Sequence, residues 1–282
     1  MPAFETPTPI TLSIELDAGE VILDAATTAT TEIELRPLRP GDADAIALIE
    51  RAHVKHSDGA ATVHLPDGRS LGLLRRTPEI ALAVRLPVGS TLAAKLRSAE
   101  LRVTGELENV RLETASGDTS LADIAGSAVV ISASGDVRIA TIGGALRLKS
   151  ASGDVTVDTC CADASIQTAS GDITVGVVEG DLDVKSASGD IAVRAADASV
   201  RARTASGDVD LGRVRAGKTE VDTVSGDVHV GVERGVSVRL DVSSLSGGVG
   251  SALERTDSAD DGAKILKLHV KTVSGDIQLR PA

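Results

Sequence analysis

One phrase recurs through this sequence and limits what the chain can become. "KSASGDVTVD", residues 149–158, returns as "ISASGDVRIA", "QTASGDITVG", "KSASGDIAVR", "RTASGDVDLG" and "DTVSGDVHVG". The glycines Gly117, Gly135, Gly153, Gly171, Gly189 and Gly207 follow one another at intervals of 18 residues, and Gly226, Gly247 and Gly275 come after 19, 21 and 28. A degenerate earlier copy, Ser98-Ala99-Glu100, stands 18 residues before the first. A period of this kind marks an architecture of stacked like units.

Counting from each glycine shows what one unit buries. Two and four residues after it come Val137/Ile139, Val155/Val157, Ile173/Val175, Ile191/Val193, Val209/Leu211 and Val228/Val230. Seven and five before it come Leu146/Leu148, Ala164/Ile166, Leu182/Val184, Val200/Ala202, Leu240/Val242 and Leu268/Val270. Both sets alternate with polar residues, the period of a half-buried strand. Each repeat therefore reads strand, corner, strand, corner. Three before the glycine, on the same inward face, stands a hydroxyl: Thr114, Ser132, Ser150, Thr168, Ser186, Thr204, Thr223, Ser244 and Thr272. These are expected to bond backbone groups where the strand bends.

Composition agrees. The 282 residues include no Trp, no Tyr and a single Phe, although 42% are hydrophobic. An interior without aromatics is a thin one, filled by small and β-branched side chains. The expected fold is all-β, a flattened parallel β-solenoid of 18-residue, two-strand rungs. A three-sided coil is an alternative, although a six-residue period fails, since steps of six from Val155 reach Cys161 and Gln167; a hairpin meander has the same side-chain parity. The array is expected over 98–282, with a polar loop inserted at 250–263. Residues 1–97 read as a β-rich capping segment that closes the solenoid end. In it "SIELDAGEVILDA" forms a strand, a corner at Ala18-Gly19-Glu20 and a strand. "PGDADAIALIERA" forms a short helix capped by Asp42 or Asp44, "HVKHSDGAATVHL" a hairpin around Asp58-Gly59, and "EIALAVRLPVGS" a strand and turn.

The triplet itself is read as a corner. Gly permits the positive φ of a tight turn, and the Ser and Asp beside it can accept bonds from turn N–H groups. The Ala or Val before Ser implies a tight, partly covered place. Asp118, Asp136, Asp154, Asp172, Asp190, Asp208, Asp227 and Asp276 then stack down one edge. The sharper alternative is a calcium-binding β-roll, which also has 18-residue coils. Here the opposite corners lack a regular acid, leaving one carboxylate per coil, too few for a cation that takes six to eight oxygens. No metal and no cofactor are expected.

Other chemistry finds no constellation. No His accompanies the hydroxyl column, so it is no row of nucleophiles. His53 and His56 are three apart in a strand and point to opposite faces. Cys160 takes an inward corner place with Cys161 beside it, a small buried residue and its neighbour. A net charge of −12, from 29 basic and 41 acidic residues, argues against nucleic acid and anionic membrane surfaces. "MPAFETPTPI" has no basic residue ahead of an apolar run, and no stretch is long and apolar enough for a membrane span. A cytoplasmic location is the expectation.

"SASGDV", "TASGDI", the early "LDAGEVIL" and the "LPVGS" before the array resemble the bacterial β-strand-repeat proteins called putative adhesins, domains of unknown function. The resemblance spans about 10–280 and implies the fold; it carries no catalytic residues. Two functions are therefore expected as rivals. One is a non-enzymatic cytoplasmic scaffold or protein-interaction module, using a sheet face or a solenoid end. The other is a surface or envelope-associated adhesin.

Overall fold

The computed structural model describes residues 3–66, 77–253 and 265–282, which fall into two compact units, Met1–Gly143 and Gly144–Ala282. Both are built almost wholly of strands.

In the first unit the strands are β1 (Ala3–Glu5), β2 (Thr11–Ala26), β3 (Thr30–Pro37), β4 (His53–Ser57), β5 (Ala60–His64), β6 (Ile80–Pro87), β7 (Ser90–Ser116), β8 (Thr119–Ile124), β9 (Ala128–Ser132) and β10 (Val137–Ile142). One helix, α1 (Ala43–Glu50), lies between β3 and β4. β2 is a whole rung in one strand. Its first half pairs in parallel with β5 and the start of β7, and its second half with β6 and the middle of β7. Gly19, at φ +132, turns it in between. The strands outside β5 and β6 run the other way: β4 is antiparallel to β5, and β3 to β6. Asp42 caps α1 by accepting from the N–H groups of Asp44 and Ala45, and Ala45 and Leu48 are the helix's buried residues. Asp58 and Gly59, at φ 49 and 73, make the β4–β5 turn.

The second unit is a parallel two-sheet solenoid. One sheet holds β11 (Leu146–Ser150), β13 (Ala164–Thr168), β15 (Leu182–Lys185), β17 (Val200–Ser206) and β19 (Lys218–Ser225). The other holds β12 (Val155–Cys160), β14 (Ile173–Val178), β16 (Ile191–Ala196), β18 (Val209–Val214) and β20 (Val228–Val232). Residues 18 apart pair in register, as Leu146 with Ala164 and Val155 with Ile173. Inward side chains are buried, but the downstream strands depart from strict alternation. In β12 and β14 the third inward residue, Cys160 or Val178, follows two half-exposed residues instead of one, so the strand bends before its corner.

The end of the array is out of sequence order. After β20 come β21 (Ser237–Ser246) and β22 (Val249–Ser251), then β23 (Ile265–Ser274) and β24 (Ile277–Pro281). β19 pairs with β23, and β23 with β21; likewise β20 pairs with β24, and β24 with β22. The last rung in sequence is thus slotted inside its predecessor, and the β21–β22 rung is terminal. This corrects the expected burial of Leu240 and Val242. Leu268 and Val270 at the same register are buried, whereas Leu240 is 44% exposed and Val242 half-buried, because no further rung covers them among the described residues. Most of the 250–263 insertion lies outside the described residues.

Candidate functional site

The Ser-Gly-Asp edge is the first place to look. Its glycines have φ between +103 at Gly135 and +158 at Gly247. Each corner stands directly on its neighbour: a Cβ on Gly171 would lie 2.4 Å from the carbonyl oxygen of Gly153. The carboxylates tie one rung to the next. Asp118 Oδ1 accepts the N–H of Asp136 at 3.0 Å. Asp154 accepts from Asp172, Asp172 from Asp190, Asp190 from Asp208 and Asp208 from Asp227, at 2.9 to 2.7 Å. Asp227 then accepts from Asp276, and Asp276 from Gly248, each at 2.7 Å. These are charge-assisted bonds, which offset the repulsion of stacked anions. At Gly248 the ladder stops, since glycine offers no carboxylate.

The hydroxyl column closes the same corner from inside. Ser150 and Thr168 donate to the carbonyls of Ser152 and Ser170, both at 2.9 Å, and Thr114, Ser132 and Thr204 make the equivalent bond two residues on. The Ala/Val place before Ser is not covered, contrary to the sequence expectation. It faces outward, with Val224 and Val273 exposed and Leu245 84% exposed. A second, shorter ladder escaped the sequence reading. Asp163 accepts from the N–H of Asp181, and Asp181 from that of Ser199, on the opposite corner. The signal was present in the column Asn109, Ser127, Asp163, Asp181, Ser199, all multiples of 18 apart.

The outer faces carry paired charge. Glu220 takes Lys218 at 2.7 Å, Arg201 at 3.1 Å and Arg203 at 3.4 Å. Hydrogen bonds from Lys218 and then Arg201 hold its carboxyl well below the usual range, at about 2. Arg213 and Arg215 share Asp197 and Glu233. A shallow groove of about 720 Å³ in the second unit is lined by Arg194, Arg213 and Arg280 over Val177, Ala195 and Gly212. In the first unit a cavity of about 560 Å³ holds the Glu15–His64 pair, 2.5 Å apart, with Lys95, Arg111 and Glu113 around it. Neither hydroxyl in that cavity, Ser13 or Thr62, hydrogen-bonds His64 among the described residues. Cys160 is buried and donates to the Ala162 carbonyl at 3.2 Å; burial first, then the neighbouring Cys161, Asp163 and Glu179, pushes its thiol pKa up against the lowering effect of that bond. Cys161 is exposed, and neither cysteine forms a disulfide. His53 is exposed and His56, stacked 5.0 Å from Phe4, is half-buried. Among the described residues no three of His, Cys, Asp and Glu gather as a metal site, and no helix is long and apolar enough to cross a membrane.

What remains unspent is apolar. Among the described residues, every large exposed hydrophobic side chain of the second unit, on Val224, Leu240, Leu245, Val249, Ile265 and Val273, belongs to the three rungs at its open end.

Parallel rungs at an 18-residue period, glycine corners and a carboxylate ladder define a β-solenoid repeat protein. The chain belongs to the Toastrack DUF4097 family, whose model matches residues 53–221 and again 146–280. No curated protein matches it. Among solved structures it is similar to a putative adhesin from Bacteroides fragilis NCTC 9343, at 14% identity and a TM-score of 0.41, over 99% of this chain and 95% of that one. A putative lipid binding protein from Parabacteroides distasonis ATCC 8503 gives 12% and 0.43 over the same shares. A putative adhesin from that organism gives 10% and 0.33, over 98% and 96%.

Proposed function

We propose that this protein is a non-enzymatic scaffold that binds another protein chain at the open end of its array. The observation that carries the reading is the placement of exposed apolar side chains. They concentrate on the last three rungs of the second unit, whereas no other described rung of that unit exposes a large apolar side chain. An uncovered apolar patch rimmed by polar residues is the usual mark of an interaction surface. The repeated Ser-Gly-Asp triplets are structural in this reading. Their carboxylates bond backbone N–H groups, the hydroxyls of Ser150, Thr168 and Thr204 bond carbonyls, and those of Ser186 and Thr223 are buried without a partner among the described residues. Neither calcium nor a covalent intermediate therefore has an accessible set of ligands to use. Residues 1–97 serve as the cap, with β3 and β4 laid antiparallel along the outer edges of β6 and β5. The reading keeps the cytoplasmic location expected from the sequence, where the exposed thiol of Cys161 stays reduced.

A photo-crosslinking residue at position 245 tests this in the producing cells, with one at Ile131, on an outer face of the first unit, as control. Discrete protein adducts from 245 and not from 131 are expected. Equal yields from both positions, or none from 245, would reject the open end as the binding surface. Fractionation of the same cells separates the cytoplasmic scaffold from a surface adhesin: recovery in the envelope would overturn the location.

A further inference from the structure

The terminal strand β21 carries a pattern that the other strands lack. Residues 237–243 read Ser-Val-Arg-Leu-Asp-Val-Ser, the same hydropathy in either direction about Leu240, with Arg239 and Asp241 in mirrored places. Laid antiparallel against a second copy with Leu240 opposite Leu240, every cross-strand pair is complementary. Val238 meets Val242, Ser237 meets Ser243, and Arg239 meets Asp241 twice over. A slip of two residues sets Arg239 against Ser243 and loses both ion pairs.

The backbone is ready for that register. β21 pairs with β23 on one side, and no strand pairs its other edge among the described residues. The N–H of Lys267 points away from β21, to Gly217 in the rung beneath. By strand alternation Leu268 faces β21, where the parallel pattern joins it to Arg239 and Asp241. That leaves the N–H and C=O groups of Val238, Leu240 and Val242 on the open side. In the proposed register these three form the hydrogen-bonded pairs. Arg239 and Asp241 then fall in the non-hydrogen-bonded pairs, where side chains approach most closely. The uncovered inner faces of two terminal rungs would close on each other through Leu240, which is 44% exposed where its buried counterpart Leu268 is 1%. Asp241 already accepts from His269 Nδ1 at 2.8 Å, which holds its carboxylate on the outer side of the strand. Arg239 has no acidic partner among the described residues.

We propose that the occupant of the open end is a second copy of this chain, joined by antiparallel β21–β21 pairing about a twofold axis through Leu240. The proposal deepens the open-end reading and rests on it. Such a contact closes on itself, and so gives a dimer and no fibre. One rung is a small interface, so the dimer should be weak, with Kd about 10–100 μM.

Sedimentation velocity on the full chain, from about 1 to 300 μM, reads the equilibrium. Arg239→Asp places two Asp–Asp pairs across the twofold, and Asp241→Arg places two Arg–Arg pairs. Each should weaken the dimer by about tenfold or more. An equimolar mixture of the two variants restores opposite charge at both positions, so it should dimerise as the wild type does. Both residues are exposed, and unchanged far-UV circular dichroism melts certify the fold; Arg239→Asp also leaves the His269 contact intact. A wild type that is monomeric throughout, single variants that dimerise undiminished, or a mixture that stays monomeric each overturn the proposal. If position 245 still captures a different protein in cells while the wild type is monomeric, the open end remains a binding surface and only its occupant was wrong.

Discussion

Replacing Gly171 by Ala should cost far more than adding one methyl group to an exposed turn ordinarily does. Gly171 sits at φ +113, a conformation that glycine adopts without strain and other residues do not. That term alone is about 1–3 kcal/mol. The new Cβ would also stand 2.4 Å from the Gly153 oxygen and 2.8 Å from its carbonyl carbon, where contact distances run to about 3.5 Å. The obstacle is the backbone of the adjacent rung, so relief requires the two rungs to part locally by about 1 Å, against close packing. Parting them stretches the Asp172 N–H to Asp154 bond, 2.9 Å, and the Ser170 N–H to Ala151 bond, 3.1 Å, past useful length. Two bonds at about 0.5–1.5 kcal/mol each bring the expected loss to about 2–6 kcal/mol. Gly235 is the matched control in the same unit: φ is +81, and nothing lies within 4 Å of its would-be Cβ. Gly235→Ala should carry the conformational term only, about 1 kcal/mol. Urea unfolding followed by far-UV circular dichroism compares the two midpoints. Repeat arrays need not unfold all at once, so the comparison rests on the difference between variants and not on either absolute value. Equal losses would refute the idea that rung-to-rung contact, and not the turn alone, dictates glycine here.

The ladder predicts a second contrast. Asp172→Asn keeps an Oδ1 acceptor for Asp190 and removes repulsion from Asp154 and Asp190, so it should be nearly neutral, whereas Asp172→Ala should lose about 1 kcal/mol in the same urea assay. If Asn and Ala cost the same, the carboxylate oxygen is not the link. An aromatic disulfide reagent should titrate one thiol, Cys161, in the native protein and the second only after unfolding, since Cys160 is buried with a raised pKa; two fast thiols would contradict the packing of that corner. Glu220 is lowered from its ordinary 4.5 to about 2, so its stabilising effect is complete above pH 4.5 and lost as pH falls from there toward 2. Glu220→Gln should therefore cost up to about 1 kcal/mol at pH 7 and nothing near pH 2, and parallel pH profiles would rule out the Lys218 and Arg201 contacts as the cause. Micromolar calcium should leave the melting temperature unchanged while added sodium chloride moves it; a calcium shift abolished by chelator and by Asp154→Asn with Asp172→Asn would restore the β-roll reading.

The rungs were legible because a solenoid repeats its physics. A two-residue alternation on either side of a glycine, repeated at 18, leaves few ways to bury Val155, Val157, Leu146 and Leu148 together. The helix cap at Asp42 and the hairpin at Asp58-Gly59 were equally local, each decided by a few residues of turn chemistry. What local patterning hides is which group meets which across rungs. The Asp carboxylates read as acceptors for their own turn, but they reach the turn N–H of the next rung, a contact 18 residues away in sequence. The Ala/Val place looked covered because small apolar residues usually are; at a corner that turns outward, smallness serves the turn and not a core.

The order of the last two rungs was hidden too, and the ladder supplies its physical reason. A rung with Asp at the corner can join on both sides: its N–H donates backward and its Oδ1 accepts forward. "SGDI" at 274–277 is such a rung, and Asp276 both donates to Asp227 and accepts from Gly248. "SGGV" at 246–249 can only donate. A rung of that kind is best placed last in the stack wherever it falls in the sequence, and the residues between Ser251 and Ile265 are enough to let the later rung pass inside it. The entropy of the longer connection grows only with the logarithm of its length, so it is a small obstacle against one more charge-assisted bond and the burial of Leu266, Leu268 and Val270. The same substitution, glycine for aspartate at 248, thus both halts the ladder and leaves Val238, Leu240 and Val242 as the face that the chain presents beyond it.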